Sequence, residues 1–168
     1  MIKGSNIFLE RAGEAESELL FKWRSEPEIY KNFANQDEIT LDHHKNWFSK
    51  NAHNYYFVIK TLEGEPLGLT LLENIDYRNR RCFWGIYIAE TMHRGKGFAQ
   101  EATKLVLNFG FDYLNLHKIY GTTLAGNVMG RKFHKSVGFK EEAVLTDYCF
   151  FDGEYHDLIY ISTTKIDL

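Results

Sequence analysis

A mixed α/β domain is the fold this sequence predicts, and three observations carry the prediction. Residues 82–89 are a run of aromatic and β-branched side chains that reads as a strand, followed at once by a Gly-rich turn and a helical run. The same order returns downstream, where a strand over residues 117–124 leads into a helical run opened by Asn127. Short strand pairs joined by turn residues occupy the remainder. No repeat, linker, heptad or low-complexity tract interrupts the 168 residues, so residues 1–168 read as one domain.

The elements follow in order. Residues 6–10 read as a first strand. Leu19, Leu20 and Trp23 recur at helical spacing within residues 14–25, and Pro27 stops that run. Thr40 is placed to cap a second helix that carries His43, His44, Trp47 and Phe48. Two strands, residues 55–60 and 67–73, are joined by a hairpin-like turn around Gly64. A polar connection over residues 74–81 leads into the strand at Cys82. The long helix beyond Gly97 places Ala102, Leu105, Val106 and Phe109 on one face and runs to about Leu114. The chain closes on a hairpin, residues 143–151 and 155–164, turned at Asp152-Gly153.

Composition narrows the function classes. A hydrophobic share of 44% and a net charge of −3 belong to a globular chain, and the slight acidity argues against nucleic acid as a partner. No apolar run reaches membrane-spanning length and no charged-then-apolar leader opens the chain, so a cytoplasmic protein with no membrane partner is expected. Two cysteines far apart in sequence fit reduced, packed thiols. His43 and His44 are adjacent and point in different directions, so no helix-face metal pair arises and no metal is expected.

Chemistry concentrates in the turn Arg94-Gly95-Lys96-Gly97-Phe98-Ala99. A strand, a basic Gly-rich turn and a helix together offer free backbone N–H groups and a positive dipole end to a phosphate. The turn reads as a diphosphate cradle. It is not a P-loop, because neither Ser nor Thr follows Lys96, and it is not a dinucleotide fingerprint, because Gln100 stands where the third Gly is required.

With the second segment, Asn127 followed by Gly138-Phe139, the chain resembles the GNAT acyl-CoA N-acetyltransferases from Ile7 to about Ile166. The family's Arg/Gln-x-x-Gly-x-Gly/Ala turn is matched by Arg94-x-x-Gly97-x-Ala99. The resemblance implies a twisted mixed sheet of about seven strands, splayed at a bulged central strand, with helices on both faces. It also implies acetyl-CoA as acyl donor, bound by Arg94, Gly95, Lys96, Gly97, Phe98, Ala99 and Asn127, with Tyr87, Ile88 and Ala89 as the free strand edge against pantetheine.

Where relatives place a Tyr to protonate the leaving thiolate, this chain has His134, whose ordinary pKa near neutrality suits the task. Tyr87 and Tyr148 are substitutes. Glu73, at the end of the preceding strand, is the candidate base, beside the option that water alone takes the amine's proton. The acceptor is the open question. The segments Phe21-Lys22-Trp23-Arg24 and Ile39-Thr40-Leu41-x-x-His44-x-x-Trp47, with the connection Asn74 to Asn79, resemble acetyltransferases acting on nucleotide-linked amino sugars of the pseudaminic acid pathway. This makes a UDP-linked 4-amino-4,6-dideoxysugar, held by Trp23, Arg24 and Tyr77, the first expectation. Spermidine and ribosomal-protein N-termini are the alternative, and a non-catalytic acyl-CoA-binding module the remote one. Acetyl-CoA and a small amine are thus the expected partners, and a homodimer is compatible with the resemblance.

Overall fold

The computed structural model describes residues 1–167. Its strands are β1 (Ile2–Lys3), β2 (Ile7–Arg11), β3 (Tyr55–Thr61), β4 (Pro66–Asp76), β5 (Arg81–Ile88), β6 (Lys118–Leu124), β7 (Lys140–Phe151) and β8 (Glu154–Thr164). They form one sheet of eight strands in the order β1-β2-β3-β4-β5-β6-β8-β7. Only β5 and β6 pair in parallel among these neighbours; the other pairs are antiparallel. The expected seven strands become eight because β1, only two residues long, is below what periodicity can register.

Helices cover both faces. On one face lie α1 (Ser17–Arg24), the single turn α2 (Pro27–Tyr30) and α3 (Leu41–Lys50), where Leu20, Trp23, Ile29 and Phe48 pack on Tyr56, Val58 and Leu69. Thr40 caps α3, its Oγ1 accepting from the His43 N–H at 3.2 Å. On the other face lie α4 (Phe98–Asn108) and α5 (Val128–Ser136), and their side of the sheet holds the larger core around Ile7, Ile59, Leu72, Trp84 and Phe139. Beyond α4 the chain continues through a wide π-type turn at Phe109–Tyr113, in agreement with a helical run ending near Leu114.

The sheet splits beside β5. Pairing with β6 covers only Arg81↔Lys118, Cys82↔Ile119 and Phe83↔Tyr120, whereas β4 stays paired with β5 as far as Gly68↔Ile88. A gap therefore opens along residues 84–88. The expected bulge is not in β5. It lies in β4, where the register shifts between Glu73 and Asp76 and Asn74 takes φ 54°. An Asn tolerates that left-handed backbone better than a β-branched residue would.

Candidate active site

The turn entering α4 has the conformation a diphosphate cradle needs. Gly95 and Gly97 sit at φ 77° and 85°, and a Cβ built on either meets nothing within 4 Å. Their glycines thus serve backbone conformation, and they leave the approach to the turn open. Gly97 caps α4, and intrahelical bonding starts with the Glu101 N–H on the Gly97 carbonyl, so the first-turn amides point outward unpaired. Arg94 has a second duty: its Nε donates to the Ile88 carbonyl at 3.1 Å, tying the turn to the end of β5. Lys96 is exposed, and Phe98 is half-buried beside His93.

The strand edge differs in detail from expectation. Ala89 N–H is bonded to the Leu67 carbonyl at 2.8 Å, so it faces β4 and is no free donor. The Tyr87 carbonyl also turns to β4, where it lies 2.1 Å from a Cβ built on Gly68. By strand alternation the N–H groups of Ile86 and Ile88 face the gap instead. Of Tyr87, Ile88 and Ala89, only Ile88 has the expected orientation, and Ile86 was missed. Period-2 alternation was the available signal, but sequence alone does not fix which parity faces β4.

Asn127 is first a helix cap. Its Oδ1 accepts from the Gly130 N–H at 2.9 Å, and a Cβ on Gly130 would collide with the Asn127 side chain at 2.6 Å. His134, one face round α5, lies among the rings of Trp84, Phe133 and Phe139. Burial pushes its pKa down to about 4, with Glu141 opposing weakly. The near-neutral pKa expected for His134 is therefore corrected: the ring is uncharged at neutral pH, because aromatic neighbours cannot replace the water an imidazolium needs. Its Nδ1 is buried without a hydrogen-bond partner. Tyr148 is exposed on β7.

On the opposite face a cavity of about 340 Å³ opens between α1, α3, the loop after α2, and strands β3 to β5. Glu73, Tyr56, Tyr87, Arg24, His44 and Phe33 are among its walls. Glu73 pairs with Phe83, the last residue of β5 still joined to β6, so its carboxylate stands level with the opening of the gap. Burial raises the Glu73 pKa, and a hydrogen bond from the Tyr56 hydroxyl, 3.0 Å from Oε2, opposes the rise.

The structure separates the three residues expected around a sugar. Arg24 lines the cavity, its Nη2 donating to the Asn35 carbonyl at 2.7 Å and its guanidinium lying over Phe33. Trp23 is 3% exposed, packed edge-on to Tyr87 in the core beneath the cavity, where it cannot stack on a ligand. Tyr77 is exposed on the turn between β4 and β5 and is no part of the cavity wall. Both misplacements have one cause: aromatic residues at helical or turn spacing announce a surface or a core equally. No group of three or more His, Cys, Asp or Glu able to hold a metal occurs among the described residues. No helix among them is long and apolar enough to cross a membrane.

A family model described as an acetyltransferase (GNAT) domain matches residues 6–140, most of the chain. The chain belongs to the GNAT acetyltransferase family. It is 33% identical over 145 residues to the spermidine N(1)-acetyltransferase of Vibrio cholerae, covering 85% of this chain and 79% of that protein. It is 30% identical to the Escherichia coli enzyme of the same name, over 82% of this chain and 69% of the relative. A provisionally named ribosomal N-acetyltransferase of Bacillus subtilis is 31% identical over 61% of this chain and 56% of its own. Among solved structures, a chimera built on the Vibrio cholerae spermidine N-acetyltransferase superposes with a TM-score of 0.84 at 26% identity, covering 95% and 96% of the two chains. The Vibrio cholerae enzyme in complex with CoA and spermine shares the fold, with a TM-score of 0.90 at 24% identity over 98% of each chain. The GNAT protein described here is accordingly an acetyl-CoA-dependent N-acetyltransferase. Its relatives favour the spermidine or ribosomal alternative over the amino-sugar reading, and nothing in them points to the pseudaminic acid pathway.

Proposed function

We propose that this GNAT enzyme acetylates the primary amine of a small molecule that enters the cavity between α1, α3 and the sheet, with Glu73 as the base. The observation that carries this reading is the buried Glu73 carboxylate, held by Tyr56 level with the gap beside β5. A carboxylate with a raised pKa is better matched to an ammonium donor than an ordinary one. The acceptor's ammonium gives one proton to Glu73. The neutral nitrogen then attacks the thioester carbonyl carbon, polarised by the gap-facing N–H groups of Ile86 and Ile88. The C–N bond forms, the C–S bond breaks, and the nitrogen's second proton ends on the sulfur. Glu73 returns its proton to solvent.

His134 fits this scheme as a neutral N–H donor near the leaving group, not as an imidazolium acid. The cradle from Arg94 to Ala99, with Asn127 across the groove, is assigned to the donor's diphosphate and pantetheine. For the acceptor, the spermidine N-acetyltransferases among the relatives support a polyamine. The amino-sugar reading keeps one supporting observation, the Arg24 guanidinium in the cavity wall.

The test is an acceptor panel with acetyl-CoA, read as free thiol released. It comprises spermidine, N-terminal peptides of ribosomal proteins, and UDP-linked amino sugars. Turnover of an amine that is lost in Glu73→Gln is the expected result. Undiminished turnover in that variant would remove Glu73 from the mechanism. Silence of every amine, with acetyl-CoA still bound, would overturn the catalytic reading.

A further inference from the structure

The acceptor cavity has a second polar end that amine chemistry does not use. His44, on the inner face of α3, is only 7% exposed, and its Nε2 is buried with no hydrogen-bond partner. The ring is held between Phe21 and Trp47, with centroids 5.9 and 5.6 Å away, and it lines the cavity. A buried polar atom left unpaired in a lined cavity is out of place unless something else supplies the partner. Arg24 stands in the same wall. The one protein acceptor seen for its guanidinium is the Asn35 carbonyl, which leaves further N–H donors on the fork.

We propose that His44 and Arg24 form a second recognition point of the acceptor cavity, one that takes an anionic, oxygen-bearing group carried by the amine substrate. This rests on the reading that the cavity receives the acceptor amine. Glu73 is the one carboxylate in the wall, facing one Arg and the histidines His43 and His44. The cavity is therefore bipolar: an ammonium suits the Glu73 end, and a carboxylate or phosphate suits the guanidinium fork and the His44 N–H. A polyamine would bring its second ammonium to a wall that offers Arg24 and no further lining carboxylate, although Asp37, outside the lining, is near enough for its charge to act on Arg24. Burial and the Arg24 charge both lower the His44 pKa, so the resident ring is neutral and the fixed positive charge at this end belongs to Arg24. The substrate class that follows is a primary amine bearing a carboxylate or a phosphate.

Four amines of matched length distinguish the cases: an aminoalkyl carboxylate, an aminoalkyl phosphate, an alkylamine with no second charged group, and spermidine. In the unmodified enzyme, kcat/KM for an anionic amine should exceed that for the alkylamine on the order of tenfold, the usual size of one charge-assisted contact. Whichever of carboxylate and phosphate wins names the group. Arg24→Gln and His44→Phe should each collapse that ratio toward one, chiefly through KM. Acetyl-CoA titration by calorimetry would establish that each variant is folded. A preference for spermidine over both anionic amines, or variants that keep the original ratio, would overturn the proposal while leaving the Glu73 chemistry standing. If no amine is turned over although acetyl-CoA binds, the reading of the cavity as acceptor site fails, and this proposal fails with it.

Discussion

Tyr56 donates its hydroxyl to Glu73 at 3.0 Å, from β3 to the neighbouring strand β4, in the wall of the cavity between α1, α3 and the sheet. Two forces act on the carboxylate in opposite directions. Burial raises its pKa, and the tyrosine hydrogen bond lowers it. A base works only when deprotonated, so kcat/KM should fall toward acid, with a midpoint above the ordinary carboxylate range. Tyr56→Phe removes the lowering contribution and should move that midpoint to higher pH. Glu73→Gln should abolish the limb and lower kcat by about 10²-fold or more. A pH profile from 4 to 9 checks all three, and an unmoved midpoint in Tyr56→Phe would separate the pair.

Stability has its own sign. The folded pKa of Glu73 is raised, so ionisation is costlier in the native state, and this group makes the protein less stable as pH rises through that pKa. Glu73→Gln should therefore help stability more at pH 8 than at pH 5, measured by urea unfolding.

For His134 the pH dependence runs the other way. Its pKa falls from 6.5 to about 4 on folding, so the unfolded chain binds the proton first as pH drops. The contribution is fully present above the unfolded value and is lost as pH falls from there through the folded value, on the order of 3 kcal/mol in total. His134→Gln should reduce this acid sensitivity. It should also retain more activity than His134→Leu, because it keeps an N–H donor; loss of that donor should cost about 10²-fold in kcat. An inflection of kcat near pH 6.5 that vanishes in His134→Gln would mean the ring does work as an imidazolium.

Gly97 is constrained by its backbone, since φ is 85° and the space beside it is open. Gly97→Glu adds left-handed strain of about 1–3 kcal/mol and a carboxylate at an anion site, and acetyl-CoA affinity by calorimetry should drop tenfold or more. Gly97→Asn, which tolerates this backbone and adds no charge, should lose less. Equal losses would show that neither the added charge nor the backbone strain governs the cradle, but the presence of any side chain at this position.

Gly68 is constrained differently. A Cβ there would lie 2.1 Å from the Tyr87 carbonyl, inside the β4–β5 pairing. Gly68→Ala must push β5 toward the gap, and it should weaken acetyl-CoA binding and lower Tm together. Unchanged values of both would mean the two strands part without consequence.

Much of this was legible in the residues themselves. Gly95 and Gly97 after an aromatic strand, and Asn127 after the next, demand particular backbone conformations, and those demands are local; so are the Thr40 cap and the Asp152-Gly153 turn. Glu73 could be placed at a strand end near the gap, but its burial, its Tyr56 partner and its raised pKa come from β3 and two helices closing over it. Trp23 and Trp84 are equally aromatic in sequence, and only packing decided that both are core. The parity of β5, which sets Ile86 and Ile88 toward the gap and Ala89 toward β4, depends on its register with β4, which the bulge between Glu73 and Asp76 shifts, so alternation along β5 alone does not fix it. His44 shows the division most plainly. In sequence it is one of two adjacent histidines that cannot form a helix-face metal pair, and only the tertiary fold buries one of its nitrogens unpaired in the cavity wall, because desolvation is a property of what surrounds a residue and not of the residue.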